Sequence, residues 1–343
     1  MELPSVRGPL SAGVVDSLSG RRALPVDELV GLAGAVADGV AEVTDDDFHL
    51  ALWVMYELHY RGFEGVDDHR EWDPDLLRVR RELESVFETG LRRRTGEAVS
   101  DALAADGDVA DRLFALPGSF DGPSLAHFLQ REATAEQFTE FLIQRSIYHL
   151  KESDPSSWVI PRIDGRPKAA LVELQYDEYG AGRPDRVHST LFGDGLEACG
   201  LEREYGAYID QVPGYTLASN NAMSLLGLHR RLRAASMGHL GAFESTSSLP
   251  SKRLAGGIRR LGLAEEVAEY FDEHVVADAV HEQLALRDIC AGLVAQDPGL
   301  LEDVFFGAAV CLFMDQVAGE RMLTAWHAGG TSLRVAGTEA VAS

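Results

Sequence analysis

Apolar residues recur at three- and four-residue intervals along most of this chain, as they do in helices that bury one face. Segments 26–42, 45–61, 74–93, 134–152, 165–179 and 264–296 are rich in Ala, Leu, Glu, Arg and Gln, and each predicts a helix. In 134–152 the apolar residues Phe138, Phe141, Leu142, Ile147 and Leu150 follow one face, and Thr134 is placed to start the helix. Strand signals are nearly absent. Trp158-Val159-Ile160 lies between Pro155 and Pro161 and reads as a loop, and there is no alternating hairpin pair or βαβ series. Breaks are expected at 154–167, 180–184, 211–215 and 247–251, where Gly, Pro and Ser cluster. The first 20 or so residues and the stretch after Gly329 are rich in small residues and are expected to be loose.

Composition narrows the class. The chain has 343 residues, 45% hydrophobic and 25% charged, which is ordinary for a globular protein large enough to bury a core. Its 31 Lys and Arg against 55 Asp and Glu give a net charge of −24, which argues against nucleic-acid or anionic-membrane partners. The longest apolar run, Val304 to Met314, falls far short of a membrane span, and the N-terminus does not resemble a secretory leader. Cys199, Cys290 and Cys311 have no CxxC spacing and read as buried small hydrophobes, so a cytoplasmic location is expected. No GxSxG, no phosphate-binding GxxxxGK and no HExxH is present.

The strongest chemical signal is EHVVADAVHEQ, 273–283. His274, Asp278 and His281, at i, i+4 and i+7, fall within about 60° of one another on a helix. Two imidazoles and a carboxylate in one stripe suit iron, manganese or zinc. The alternative for this helix alone is a solvated polar face. Upstream, Glu178 and His188 flank the Gly180–Pro184 break. On a straight helix they would stand about 15 Å apart, too far for one metal site, so a kink is needed. Glu152 ends an amphipathic helix just before Pro155.

This set of residues resembles the heme-oxygenase-like diiron oxidases and oxygenases, the iron-containing redox enzymes. The family pattern is a Glu late in one core helix, then Glu-x9-His, then His-x3-Asp-x2-His. Glu152, Glu178 with His188, and His274 with Asp278 and His281 match it in order and spacing over roughly residues 121–325. The resemblance implies an all-α, heme-oxygenase-like bundle at 121–325 behind an N-terminal helical extension at 1–120, which in similar proteins contributes to dimerisation. A loose tail at 326–343 follows. It further implies a metal set of Glu152, Glu178, His188, His274, Asp278 and His281 holding two Fe(II), with O2 as cosubstrate and no heme. Three carboxylates would leave two ferrous ions with net positive charge. The activity implied is oxidation of a small organic substrate in specialised metabolism, by amine N-oxygenation, or by carbon–carbon cleavage, decarboxylation or desaturation. An external electron donor and a homodimer are expected, and a non-catalytic iron-binding protein is the alternative of another class.

Other residues read less sharply. Arg145 and Tyr148 lie two turns and one turn before Glu152 and are expected to line the substrate cavity. Glu57 and His59 read as packing residues. LHRRLR, 228–233, reads as a salt-bridged surface or an anion grip, and GHLGAFEST, 238–246, as a close helix contact in which His239 is a satisfied core histidine.

Overall fold

The computed structural model describes residues 1–36 and 41–335, with side chains except at 41–42 and 276–280. The architecture is all-α, with no strand among the described residues. The principal helices are α1 (Pro9–Leu18), α2 (Val26–Ala35), α3 (Asp46–Glu57), α4 (Pro74–Ala104), α5 (Val109–Ala115), α6 (Leu125–Arg131) and α7 (Ala135–His149). They continue with α8 (Gly165–Glu178), α9 (His188–Ala198), α10 (Gly214–Leu228), α11 (Arg233–Leu261), α12 (Glu265–Gln283), α13 (Ala291–Gln296) and α14 (Leu301–His327). Thr134 caps α7 as expected, accepting from the Gln137 N–H while the Gln137 side chain accepts from the Thr134 N–H.

Helices α10, α11 and α14 form the centre. The apolar run in α14 is buried on nearly all sides, which is why it carries no amphipathic period. Gly238 and Gly307 let α11 and α14 approach so closely that a Cβ on either would run into the facing carbonyl oxygen of Val304 or Ala235. The tract 238–246 is therefore a close helix contact, as its composition predicts. One hydrophobic cluster runs from Leu10 through Phe48, Phe87 and Phe141 to Trp326, so the N-terminal helices share the core with the rest of the chain.

Two expectations of looseness are corrected. Residues 9–18 form a packed helix because Asp47, at the start of α3, caps it from outside: its carboxylate accepts the Leu10 and Ser11 N–H groups at 2.8 Å. Beyond α14 the chain is anchored at Ser332, whose N–H and hydroxyl donate to Glu140 at 2.7 and 2.8 Å. Residues 336–343 lie outside the described residues. The break expected at 247–251 is absent too: α11 continues through Pro250, with Ser245, Thr246 and Ser247 hydroxyls donating back to carbonyls of the preceding turn.

Candidate metal centre

The break at Gly180 does what a straight helix cannot. Helix α8 ends at Glu178, the chain reverses through Gly180–Arg186, and His188 opens α9. Gly180 has φ +74°, and a Cβ there would lie 2.6 Å from the Arg186 carbonyl carbon and the Val187 nitrogen. The reversal brings His188 Nδ1 to 3.0 Å from Glu178 Oε2. From the end of α7, Glu152 Oε2 stands 3.9 Å from the same nitrogen, and Glu152 Oε1 stands 3.5 Å from His274 Nε2 on α12. Donor atoms of Glu152, Glu178, His188 and His274 all lie within 4.8 Å of one another.

A second set adjoins the first. His281 Nδ1 stands 3.5 Å from Glu178 Oε1 and 3.5 Å from Glu244 Oε2. Glu178 thus offers one oxygen to each set. Five of the six residues expected as ligands therefore converge. The sixth, Asp278, lies on α12 between His274 and His281, and its side chain is outside the described residues. Glu244 was missed. Its signal in the sequence is that it is the lone charged residue between Arg233 and Lys252, in a helix otherwise built of small and apolar residues.

Neighbouring groups fix the imidazoles. The Tyr270 carbonyl lies 2.8 Å from His274 Nδ1, which assigns the proton to Nδ1 and leaves Nε2 as a lone pair facing Glu152. Asp177 Oδ2 lies 3.3 Å from His281 Nε2 and does the same for that ring, freeing Nδ1. The Tyr270 hydroxyl donates to Glu152 at 2.7 Å, and the Ser153 hydroxyl donates to Glu178 at 3.1 Å. Ser153 holds φ +68°, a left-handed conformation that costs a serine free energy and here aims its hydroxyl at Glu178.

Glu152, Glu178 and Glu244 are each only 5% exposed, so three carboxylates share a buried site. Burial raises the Glu152 carboxyl, but His274 and His149 outweigh it and hold it well below the usual range. Burial disfavours charge on His188 and His281, yet the facing carboxylates raise both, Glu178 acting on His188 and Glu244 with Glu178 lifting His281 to about 9. The cluster therefore favours positive charge. Nδ1 of His188 and Nδ1 of His281 are buried and form no hydrogen bond with the carboxylates they face. Buried imidazole nitrogens converging among carboxylates, able to ligate once their protons are displaced, fit an oxygen- and nitrogen-ligated metal such as iron.

The remaining candidates fall into place. Arg145 and Tyr148 line a cavity of about 370 Å³ that reaches His149 and Phe243, beside the metal cluster. Arg145 also pairs with Asp315 at 3.2 Å. In 228–233, His229 meets Glu84 at 2.9 Å and Arg231 pairs with Glu88, a salt-bridged surface. Glu57 is more than packing: it is fully buried against Lys151 and accepts from the Tyr205 hydroxyl at 2.7 Å. His59 is buried between Glu71, at 3.0 Å, and Arg80.

Residues 139–316, just over half of the chain, match the family described as iron-containing redox enzymes, and the chain belongs to that family. It is also 30% identical over 169 residues to a nitrosourea synthase from Streptomyces achromogenes subsp. streptozoticus, a match that covers 49% of this chain and 36% of that protein. No helix among the described residues is long and apolar enough to cross a membrane.

Proposed function

We propose that the protein is a non-heme diiron oxidoreductase that uses O2 to oxidise the nitrogen of a small organic amine. The observation that carries this reading is Glu178, whose two oxygens face two adjoining donor sets. Glu152, His188 and His274 would hold one iron, Glu244 and His281 the other, with Glu178 between them. Asp278, one turn from both His274 and His281 on α12, would complete the set as the family pattern implies. When bound, a ferrous pair supplies the electrons that reduce O2 and the oxidising power passed to substrate.

The chain's own residues set the conditions. Tyr270 holds Glu152 through its hydroxyl and His274 through its carbonyl, so one residue orients two ligands. Phe192 packs against the His149 and Tyr270 rings at 5.0 Å and keeps water from that side. With Glu244 included, four carboxylates balance two ferrous ions. The net positive charge expected from three ligating carboxylates disappears, and with it the attraction for an anionic substrate. A nitrosourea contains an oxidised nitrogen, so the relative's name favours nitrogen as the atom oxidised over carbon–carbon cleavage or desaturation. Placing one oxygen atom on nitrogen and reducing the other to water takes two electrons beyond those of the amine, which an external donor would supply.

Anaerobic Fe(II) titration with metal analysis, followed by O2 and a panel of amines, tests this. The expected result is about two irons per chain, O2 uptake accelerated by one amine class, and a product one oxygen atom heavier. Glu244→Ala should drop the load to about one iron and stop amine-dependent O2 uptake. Two tightly held irons and normal uptake in that variant would remove Glu244 from the centre. A product that has lost carbon dioxide or two hydrogens would replace N-oxygenation with another oxidation at the same site.

A further inference from the structure

Histidine 239 is the anomaly in the wall of the large cavity. It sits on α11, five residues before Glu244, and is 8% exposed. Read from the sequence it is a satisfied core histidine. The structure shows otherwise: it forms no hydrogen bond or ion pair with any described residue. Desolvation alone lowers its pKa to about 4, with no charged neighbour contributing, so the ring is neutral at physiological pH. A neutral imidazole carries one N–H donor and one lone-pair acceptor, and His239 uses neither on a described residue, so both are available to what enters the cavity it lines.

Its neighbours explain where that capacity points. Along α11, His239, Phe243, Thr246, Pro250 and Leu254 follow one stripe and line the cavity. Exposed Pro123 and Asp315 mark its outer part, whereas buried His149 and His239 lie within. The charged lining groups of the cavity, Arg145 and Asp315, are paired with each other. A cation or anion carried inward would find no counter-ion beside His239, whereas an uncharged group with an N–H or a lone pair would find both a partner and apolar walls.

We propose that His239 is a substrate-binding, specificity-determining residue that hydrogen-bonds an uncharged nitrogen-bearing group of the substrate in the cavity beside the metal cluster. Resting on the reading of that cluster as the reaction centre, it selects substrates whose buried end enters as a neutral amine or amide-type nitrogen in place of an ammonium or carboxylate. The imidazole accepts from the N–H of either, or donates to the lone pair of an amine nitrogen, and no covalent step is involved.

Two aromatic probes of one shape separate this from simple hydrophobic filling. 1-Aminonaphthalene is an arylamine uncharged at neutral pH, and 1-methylnaphthalene replaces its amino group with a methyl. Their binding to the full-length protein is measured by fluorescence, once metal-free and once loaded with Fe(II) without oxygen. The wild type should bind the amine about fivefold more tightly in both states, the worth of one net hydrogen bond. His239→Phe or His239→Leu should erase the preference and keep the methyl probe's affinity, and His239→Asn should restore part of it. Leu254→Trp, which fills the cavity, should weaken both probes together.

A preference that survives in the apolar variants overturns the proposal, as does a failure of the wild type to bind either probe. A preference seen only with iron present overturns it too, because the amine would then be ligating metal. Unchanged binding in Leu254→Trp would place the probes elsewhere and has the same consequence. Iron content of His239→Phe, measured separately and expected to match the wild type, tests the metal centre independently, so failure of one reading is told apart from failure of the other.

Discussion

At the cluster, burial and charge act against each other on every ionisable group, and the balance differs from residue to residue. His281 is the clearest case: Glu244 and Glu178 overcome its burial and lift it to about 9. Metal must displace that proton, because only the neutral ring ligates. Affinity for Fe(II) should therefore rise from about pH 6.5 to about pH 8.5, by up to tenfold per unit for each proton released, and level off above about 9. Folding stability of the metal-free protein runs the other way. A pKa raised from the unfolded value contributes stability that is complete below about 6.5 and is lost as pH climbs through about 9. Anaerobic calorimetry across this range, with thermal melts of the metal-free protein alongside, checks both signs, and a pH-independent affinity would mean that His281 is not displaced by metal. Glu244 also marks the limit of reading ligands from spacing. The other five that converge there were expected because together with Asp278 they match the family pattern, Glu152 alone giving no local signal, whereas Glu244 comes to the site only through the crossing of α11 against α12.

Helices are legible here wherever an apolar stripe faces a core, and the positions of α2, α3, α7, α8 and α12 follow from that stripe. Those that differ from expectation depend on contacts that periodicity does not show: α1 is capped by Asp47, and α11 continues through Pro250 with Ser and Thr hydroxyls bonded to the carbonyls of the turn before it. The reversal between α8 and α9 was legible for the opposite reason, since it is written in Gly and Pro. Its two glycines are not equivalent. Gly180 has positive φ and no room for a Cβ, whereas Gly182 has positive φ with nothing within 4 Å of the added atom. Gly180→Ala should push the Arg186–Val187 peptide away and carry His188 off Glu178, so that iron in the first set falls by at least tenfold in affinity while helix content stays the same. Gly182→Ala should meet only the conformational cost of its φ and load normally. Metal analysis and circular dichroism of the two variants make the comparison, and equal loading would show that His188 reaches Glu178 without this turn.

Across the whole molecule the donors come from parts of the chain far apart in sequence: the end of α7, the turn between α8 and α9, the middle of α11 and two turns of α12. A chain with net charge −24 gathers three of its carboxylates in one buried place, where without metal the facing histidines are the groups that offset their charge. Two ferrous ions held at a hundredfold excess over their dissociation constants would add roughly 5 kcal/mol by mass action, about 2.7 from each. The thermal midpoint should accordingly rise by several degrees when Fe(II) is added without oxygen. The shared carboxylate gives this shift a structure that general charge screening lacks. Glu178→Ala should abolish most of it, because both donor sets lose a member, whereas Glu244→Ala should remove about half. Mg(II), which also screens an acidic surface but prefers all-oxygen ligands, serves as the control and should give a small shift that neither variant alters. If Glu178→Ala keeps the full Fe(II) shift, the stabilisation comes from cations spread over the acidic surface, and the two sets do not act as one bridged centre.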